Sequence, residues 1–285
     1  MVVICFLPYS SIKMRTQPVG IAPFKDLGNP SFTVNTPSHH ISLNGIVLCV
    51  AKKQSGKTRF VSNLLYQLKQ ASCMDRIFCL SDTFDSNKKM MESREKLKRW
   101  KAFNHSLDYR ITADLLEFFD PVTRQFEPPK HWLNGRKPVV GIFADDIQSS
   151  SLIGSKAFKN LCIKCRHIGA FQSGEPPIGC SIFVCVQNYT ASGNEGIPKS
   201  IRGNINCCAC WKSSCWTEVD LLATELSGVI PKHQILQAYD YVMNKEPDNR
   251  HNFLFIDLTP KKEHLSPFRM NYTEWLIPEK EQSST

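Results

Sequence analysis

Apolar residues recur along this chain in two alternating rhythms. Short, predominantly apolar runs at 46–50, 75–80, 139–144, 179–186, 205–211 and 252–258 have the length of strands buried on both faces. Between them lie stretches whose apolar residues recur at helical spacing. In 57–71 these are Phe60, Leu64, Leu65 and Leu68, which share one face of a helix. Further helices are predicted near 155–167, at 216–227 and at 231–244, with a short one at 198–202 that starts on Pro198. Strand alternating with helix predicts an α/β fold, with a mostly parallel central sheet and helices on both faces.

The rhythm fails in three places. Residues 1–40 are rich in Pro, Ser, Thr and Asn, with one apolar run at 2–7 that suits a short edge strand. Residues 87–103 predict a charged helix, with Lys88, Lys89, Arg94, Lys96, Lys98, Arg99 and Lys101 set against Glu92 and Glu95. Pro121, Pro128, Pro129, Asn134 and Gly135 then mark irregular chain. These breaks divide the sequence into an N-terminal extension at 1–43, one domain at 44–278 and a polar C-terminal tail at 279–285.

The first strand of the domain runs straight into chemistry. After Ile46–Val50 come Ala51, Lys52, Lys53, Gln54, Ser55, Gly56, Lys57 and Thr58, and the helix begins at once. An apolar strand, a tight loop ending in Gly-Lys-Thr and a helix are the sequence form of a phosphate-binding loop. Backbone N–H groups across Lys53, Gln54, Ser55 and Gly56 would wrap a polyphosphate, and the positive end of the helix would face the same charge. Lys57 would reach the β- and γ-phosphates of ATP, and the Thr58 hydroxyl would hold Mg²⁺. Ala51 stands where such loops usually carry their first Gly, and left-handed backbone there would cost Ala more than Gly.

A second apolar run, 139–144, ends in Asp145 and Asp146. Paired acids have no structural use at the tip of a buried strand, because like charges repel and desolvation is costly. At the C-terminal edge of a parallel sheet, beside a phosphate loop, they meet cation and water. Asp145 then suits Mg²⁺, and Asp146 suits a group that orients or deprotonates the attacking water. The run at 181–186 closes on Gln187 and Asn188, where an amide senses the γ-phosphate or positions the water, or simply forms a turn. Arg166 precedes His167 at the end of a predicted helix, as a helix-end cation or as an arginine finger for a neighbouring subunit. Arg202 is the competing finger.

Composition narrows the setting. Hydrophobic residues make up 42% of the 285, which is ordinary for a globular protein. The run at 2–7 is too short for a membrane span or a signal peptide, so no membrane span is expected. The net charge of +9 fits a polyanionic partner or a solvated basic surface. Several of the twelve cysteines, Cys49, Cys79, Cys180 and Cys185 among them, fall in strand-like runs where free thiols pack as small hydrophobes, and a reducing, intracellular setting follows. Cys162/Cys165 and Cys207/Cys210 have spacing compatible with zinc, and also with structural thiols.

The order of Lys52-Lys53-Gln54-Ser55-Gly56-Lys57-Thr58, Phe143-Ala144-Asp145-Asp146, Cys165-Arg166-His167, Val186-Gln187-Asn188 and the Ile197 to Asn204 segment resembles the poxvirus-type genome-packaging ATPases. These belong to the FtsK–HerA superfamily and occur in nucleocytoplasmic large DNA viruses, virophages and Maverick-like elements. The resemblance spans residues 44–258. It implies a RecA-like P-loop NTPase core in a homo-oligomeric ring that spends ATP, with Mg²⁺, to drive double-stranded DNA into a preformed capsid. It further implies a capsid or portal-vertex partner, a place in the host cytoplasm or viral factory, and association with the virion during assembly. The wider superfamily carries Glu where this chain has Asp146. A motor of this kind grips the phosphate backbone, and Lys96, Lys98, Arg99 and Lys101 of the basic helix are the candidate contacts, against the alternative of a solvated surface helix.

Other classes fit less of the chain. A superfamily 3-type replicative helicase shares the loop, the acid pair and an amide, for which Asn188 would serve, but packs its motifs more closely than the distance from Lys57 to Asp145. A nucleotide kinase needs an Arg-bearing lid, whereas Arg250 and Arg269 stand apart. A non-hydrolysing nucleotide-binding capsid or scaffold protein would be favoured if Asp146→Ala left function intact.

Overall fold

A computed structural model of the chain describes residues 14–18, 36–74, 76–80, 139–149, 151–166, 179–190 and 196–278. The run at 2–7, the predicted basic helix with Lys96, Lys98, Arg99 and Lys101, the Pro-rich stretch after it, His167 and the tail at 279–285 lie outside the described residues.

The described strands are β1 (Met14–Pro18), β2 (Ile46–Val50), β3 (Arg76–Leu80), β4 (Val140–Asp145), β5 (Ser181–Val186), β6 (Ile205–Trp211), β7 (Phe253–Asp257), β8 (Phe268–Met270) and β9 (Glu274–Pro278). They form one sheet in the order β1-β9-β8-β7-β6-β2-β5-β4-β3. The run β6-β2-β5-β4-β3 is parallel throughout. The other four strands extend it as an antiparallel meander from β6. The fold is α/β, with the predicted parallel sheet and an antiparallel wing that the strand–helix alternation did not predict.

The described helices are α1 (Lys57–Gln70), α2 (Ser151–Gly154), α3 (Lys156–Ile163), α4 (Lys199–Arg202), α5 (Trp216–Leu226) and α6 (Lys232–Lys245). Period-two alternation in the strands divides the core between them. Val47 and Cys49 of β2 lie in one cluster with Val61, Leu64, Leu65 and Leu68 of α1. Ile46 and Leu48 lie in the other, with Phe158 of α3, Leu222 of α5 and Val242 of α6. Each such side chain, fully buried, contributes roughly 1.5–3 kcal/mol. The helix predicted near 155–167 is α3, which starts where Ser155 caps it by accepting a hydrogen bond from Phe158 N at 3.1 Å but ends earlier, at Ile163, and the short α2 precedes it.

The antiparallel wing is built around a buried cation. Arg269 of β8 is fully buried, 3.9 Å from the Trp275 ring centroid and 4.8 Å from that of Tyr272. Desolvated cation–π contacts of this kind contribute about 2 kcal/mol. The guanidinium also donates to His39 O at 2.6 Å, and Lys261 Nζ donates to Pro37 O at 2.9 Å. Ile41 is buried in the α1-side core. Two pieces of the 1–43 segment, β1 and residues 36–43, are thus built onto the sheet and its core.

Candidate functional site

Three strands finish level at one sheet edge. Val50 of β2 pairs with Val186 of β5, and Cys185 of β5 pairs with Asp145 of β4. β5 therefore separates the loop strand from the acid strand by two strand spacings, about 10 Å. That gap suits a phosphate group and its cation.

The loop leaves β2 with Ala51 N donating to Val186 O at 3.1 Å. The left-handed positions in it are Gln54 (φ 63°) and Gly56 (φ 106°), not Ala51. The strain expected of an Ala at this point does not arise, and its methyl group is buried in the α1-side core. Ser55 Oγ donates to Lys52 O at 2.8 Å and closes the turn. Lys57 is buried, with its ammonium held on the carbonyls of Ala51 and Lys52 at the loop's start. Lys52, Lys53 and Gln54 are exposed. The first helical bond of α1 runs from Phe60 N to Gly56 O at 2.9 Å, which leaves the preceding N–H groups free of helix partners.

Across the gap, Thr58 Oγ1 donates to Asp145 Oδ2 at 2.8 Å. This joins the loop's last residue to the first acid, 87 positions apart in sequence. Asp145 is 1% exposed, and burial pushes its pKa up to about 6. The Thr58 hydroxyl opposes that rise, the Asp146 charge adds to it, and Lys57 opposes it. Its second oxygen, Oδ1, is buried with no hydrogen-bond partner among the described residues, and the carboxyl group as a whole also feels the Cys185 thiol, which opposes the rise. A buried carboxylate oxygen without a donor is costly unless a cation meets it. A hydroxyl and a carboxylate make an all-oxygen donor set, which fits Mg²⁺.

Asp146 is half-buried and left-handed (φ 53°), a conformation Asp tolerates better than most residues. Gln187, also half-buried, follows β5 between the loop and the acids. Its backbone N donates to Gln148 Oε1, and Gln148 Nε2 donates to Asn188 O at 3.3 Å. Gln148, on the turn Ile147–Ser149 that follows the acids, thus pins the β5 tip. Sequence reasoning missed it, since a single Gln after two Asp has no pattern. It also missed His251, whose Nδ1 lies 3.0 Å from Ser55 O. Open cavities flank the loop on both faces of the sheet. One is lined by Lys52, Gln187 and Tyr239; the other, the roomier, by Gly56, Arg59 and Arg250.

The two candidate arginine fingers are placed differently. Cys165 O accepts from Cys180 N at 2.8 Å, next to the N-terminal start of β5. Arg166 is therefore exposed at the sheet edge opposite the loop, a six-residue strand or about 20 Å away. It does not join this chain's own site. Arg202 is committed within the chain: its Nε lies 2.9 Å from Glu225 Oε2, and it donates to Ile197 O at 3.1 Å.

No group of three or more metal-ligating side chains lies together among the described residues. Cys207 and Cys210 belong to opposite sheet faces, Cys207 to the α1 side and Cys210 to the other, so that pair cannot share a zinc. Cys162 and Cys165 are buried with Cys180 in the apolar core, and burial raises all three thiols. No helix among the described residues is long and apolar enough to cross a membrane.

No protein-family model and no curated protein matches this sequence. Among solved structures, the chain is similar to the genome packaging NTPase B204 from Sulfolobus turreted icosahedral virus 2 in complex with ATP-gammaS: 12% identity over 80% of this chain and 96% of that one, TM-score 0.43. It is also similar to the pCW3 conjugation coupling protein TcpA with ATPgS (12% identity, 74% of this chain, 57% of that, TM-score 0.41) and to ATPases 2 and 3 of EssC from Geobacillus thermodenitrificans (13%, 63%, 34%, TM-score 0.41). Likenesses this distant assign nothing to the chain, and the geometry of its own site has to carry its function.

Proposed function

We propose that this chain is an ATP-driven double-stranded DNA translocase that packages a viral genome into a preformed capsid. The observation that carries the ATPase part is the bond from Thr58 to a buried Asp145 whose other oxygen lacks a donor. Packaging follows from the ordered motifs that resemble the poxvirus-type ATPases of the FtsK–HerA superfamily.

Each residue then takes a definite part. Backbone N–H groups from Lys53 to Gly56 receive the polyphosphate of ATP. Lys57 moves its ammonium from the Ala51 and Lys52 carbonyls onto the β- and γ-phosphate oxygens. Thr58 and Asp145 would hold Mg²⁺, which would supply positive charge to offset that of the polyphosphate. Asp146 orients or deprotonates the attacking water, and Gln187 holds that water in line with the γ-phosphate. Arg166, exposed on the far edge of the sheet, reaches the site of the next subunit in a homo-oligomeric ring. Lys96, Lys98, Arg99 and Lys101 meet the DNA backbone without reading bases. The capsid or portal vertex is the docking partner, in the cytoplasm or viral factory of the host cell.

The test is ATP turnover with and without blunt duplex DNA, on protein sized by light scattering. Turnover stimulated by duplex and lost in Lys57→Ala is the expected result. Turnover that survives Lys57→Ala, or none in the wild type, overturns the site; unwinding of a forked duplex would make the chain a helicase.

A further inference from the structure

The Ser55–Gly56 peptide is the turning point of the loop, and a residue far along the chain holds it. His251 Nδ1 lies 3.0 Å from Ser55 O. A carbonyl oxygen only accepts, so Nδ1 carries the proton and donates. A trans peptide points its C=O and the following N–H in opposite directions. The described residues include no cis peptide. Drawing the Ser55 carbonyl outward to the imidazole therefore turns the Gly56 N–H inward, into the hollow of the loop. Gly56 adopts φ 106°, which only glycine holds without strain, and the left-handed Gln54 sits on the other side of Ser55. Rotation of this one peptide would lose the inward donor.

The backbone that carries the imidazole is itself held. Its turn, between α6 and β7, is tied by Asn249 Oδ1 accepting from His251 N at 3.1 Å and by Asn249 Nδ2 donating to Glu246 Oε2 at 2.7 Å. Asn252 Oδ1 accepts from Asn249 Nδ2 at 3.1 Å and from Asn271 Nδ2 at 3.0 Å, which joins the turn to the end of β8. Asn271 Oδ1 accepts from Phe253 N at 3.0 Å. This amide network has no role in the chemistry above, and its ring ends on the phosphate loop.

We propose that His251 is a positioning residue for the phosphate site: through the Ser55 carbonyl it presets the Gly56 N–H toward the polyphosphate. The proposal rests on the phosphate-loop reading and adds the antiparallel wing as the part that sets the loop. His251 acts on phosphate affinity and not on the nucleoside.

The experiment compares wild type, His251→Ala and His251→Gln, each with its melting midpoint, for binding of a fluorescent ATP analogue and for its displacement by inorganic tripolyphosphate, which has no nucleoside. Loss of one hydrogen bond corresponds to roughly a three- to tenfold loss of affinity. His251→Ala is expected to weaken ATP and tripolyphosphate in parallel by that factor, with an unchanged midpoint. His251→Gln, which retains a donor, is expected to recover most of it. A loss for ATP with tripolyphosphate unchanged would make His251 a nucleoside contact and overturn the proposal, as would no loss for either, or no recovery with Gln. Wild-type protein that binds neither ligand overturns the phosphate-loop reading itself, an outcome distinct from these.

Discussion

Asp145→Asn separates what the site costs the fold from what it does for the reaction. Burial raises the folded-state pKa of Asp145 from 3.8 to about 6. Roughly two units at about 1.4 kcal/mol each correspond to an upper figure of about 3 kcal/mol of destabilisation at neutral pH. The sign follows from linkage. The folded chain binds the extra proton between about pH 4 and pH 6, so this group's stabilisation is complete below its unfolded pKa and is lost as pH rises through about 6. Asn is uncharged, nearly isosteric, and keeps an oxygen for the Thr58 hydroxyl. Its NH₂ takes the place of the buried Oδ1, where no strong acceptor is present among the described residues, which offsets roughly 1 kcal/mol of the gain. The net of about 2 kcal/mol should raise the melting midpoint by about 4–8 °C at about pH 7.5. At about pH 5 the acid is protonated in the folded chain but still ionised in the unfolded one, so the gap should narrow by about half or more, and it should close only near about pH 4. Mg²⁺ with a non-hydrolysable ATP analogue should lift the wild-type midpoint and not that of the variant. Differential scanning calorimetry at both pH values decides the matter. A variant that melts below wild type, by the same margin at both, would mean the fold already satisfies the carboxylate and would refute its role as a cation ligand.

Three further substitutions probe how the site is held and how it meets DNA. Gln148→Ala removes both hydrogen bonds that pin Gln187 and Asn188; kcat for ATP should fall roughly tenfold with KM little changed, measured by steady-state phosphate release. Arg202→Ala leaves Glu225, which also accepts from Tyr189 OH at 2.6 Å, without its cation; the loss should be about 1–3 kcal/mol in urea titrations, whereas unchanged stability with abolished hydrolysis would make Arg202 the finger. Neutralising Lys96, Lys98, Arg99 and Lys101 together should weaken duplex binding and reduce the log–log salt slope by up to about 4, and an unchanged slope would remove this helix from the DNA contact.

What is legible in this sequence is what local chemistry dictates. Strands β2 through β6 are apolar on both faces because they are covered on both faces, so a continuous run suffices to find them. The loop is legible because Gly56 needs its conformation and Lys57 its charge, side by side. The antiparallel wing is not legible in the same way. β8 has three residues, and its central one is Arg269, a charge that composition would put in water. Its burial makes sense only once Trp275, Tyr272 and His39 surround it, and no window of sequence contains all four. Gln148 and His251 are hidden for the same reason: each acts only through hydrogen bonds to backbone groups remote in sequence. The visible residues are those whose own chemistry is needed at the phosphate, and the hidden ones hold the visible ones in place. The division also predicts how the two kinds of substitution differ. Changing Lys57 or Asp145 removes a reacting group, whereas changing Gln148 or His251 leaves every reacting group present and lowers only the fraction of molecules in which those groups are aligned.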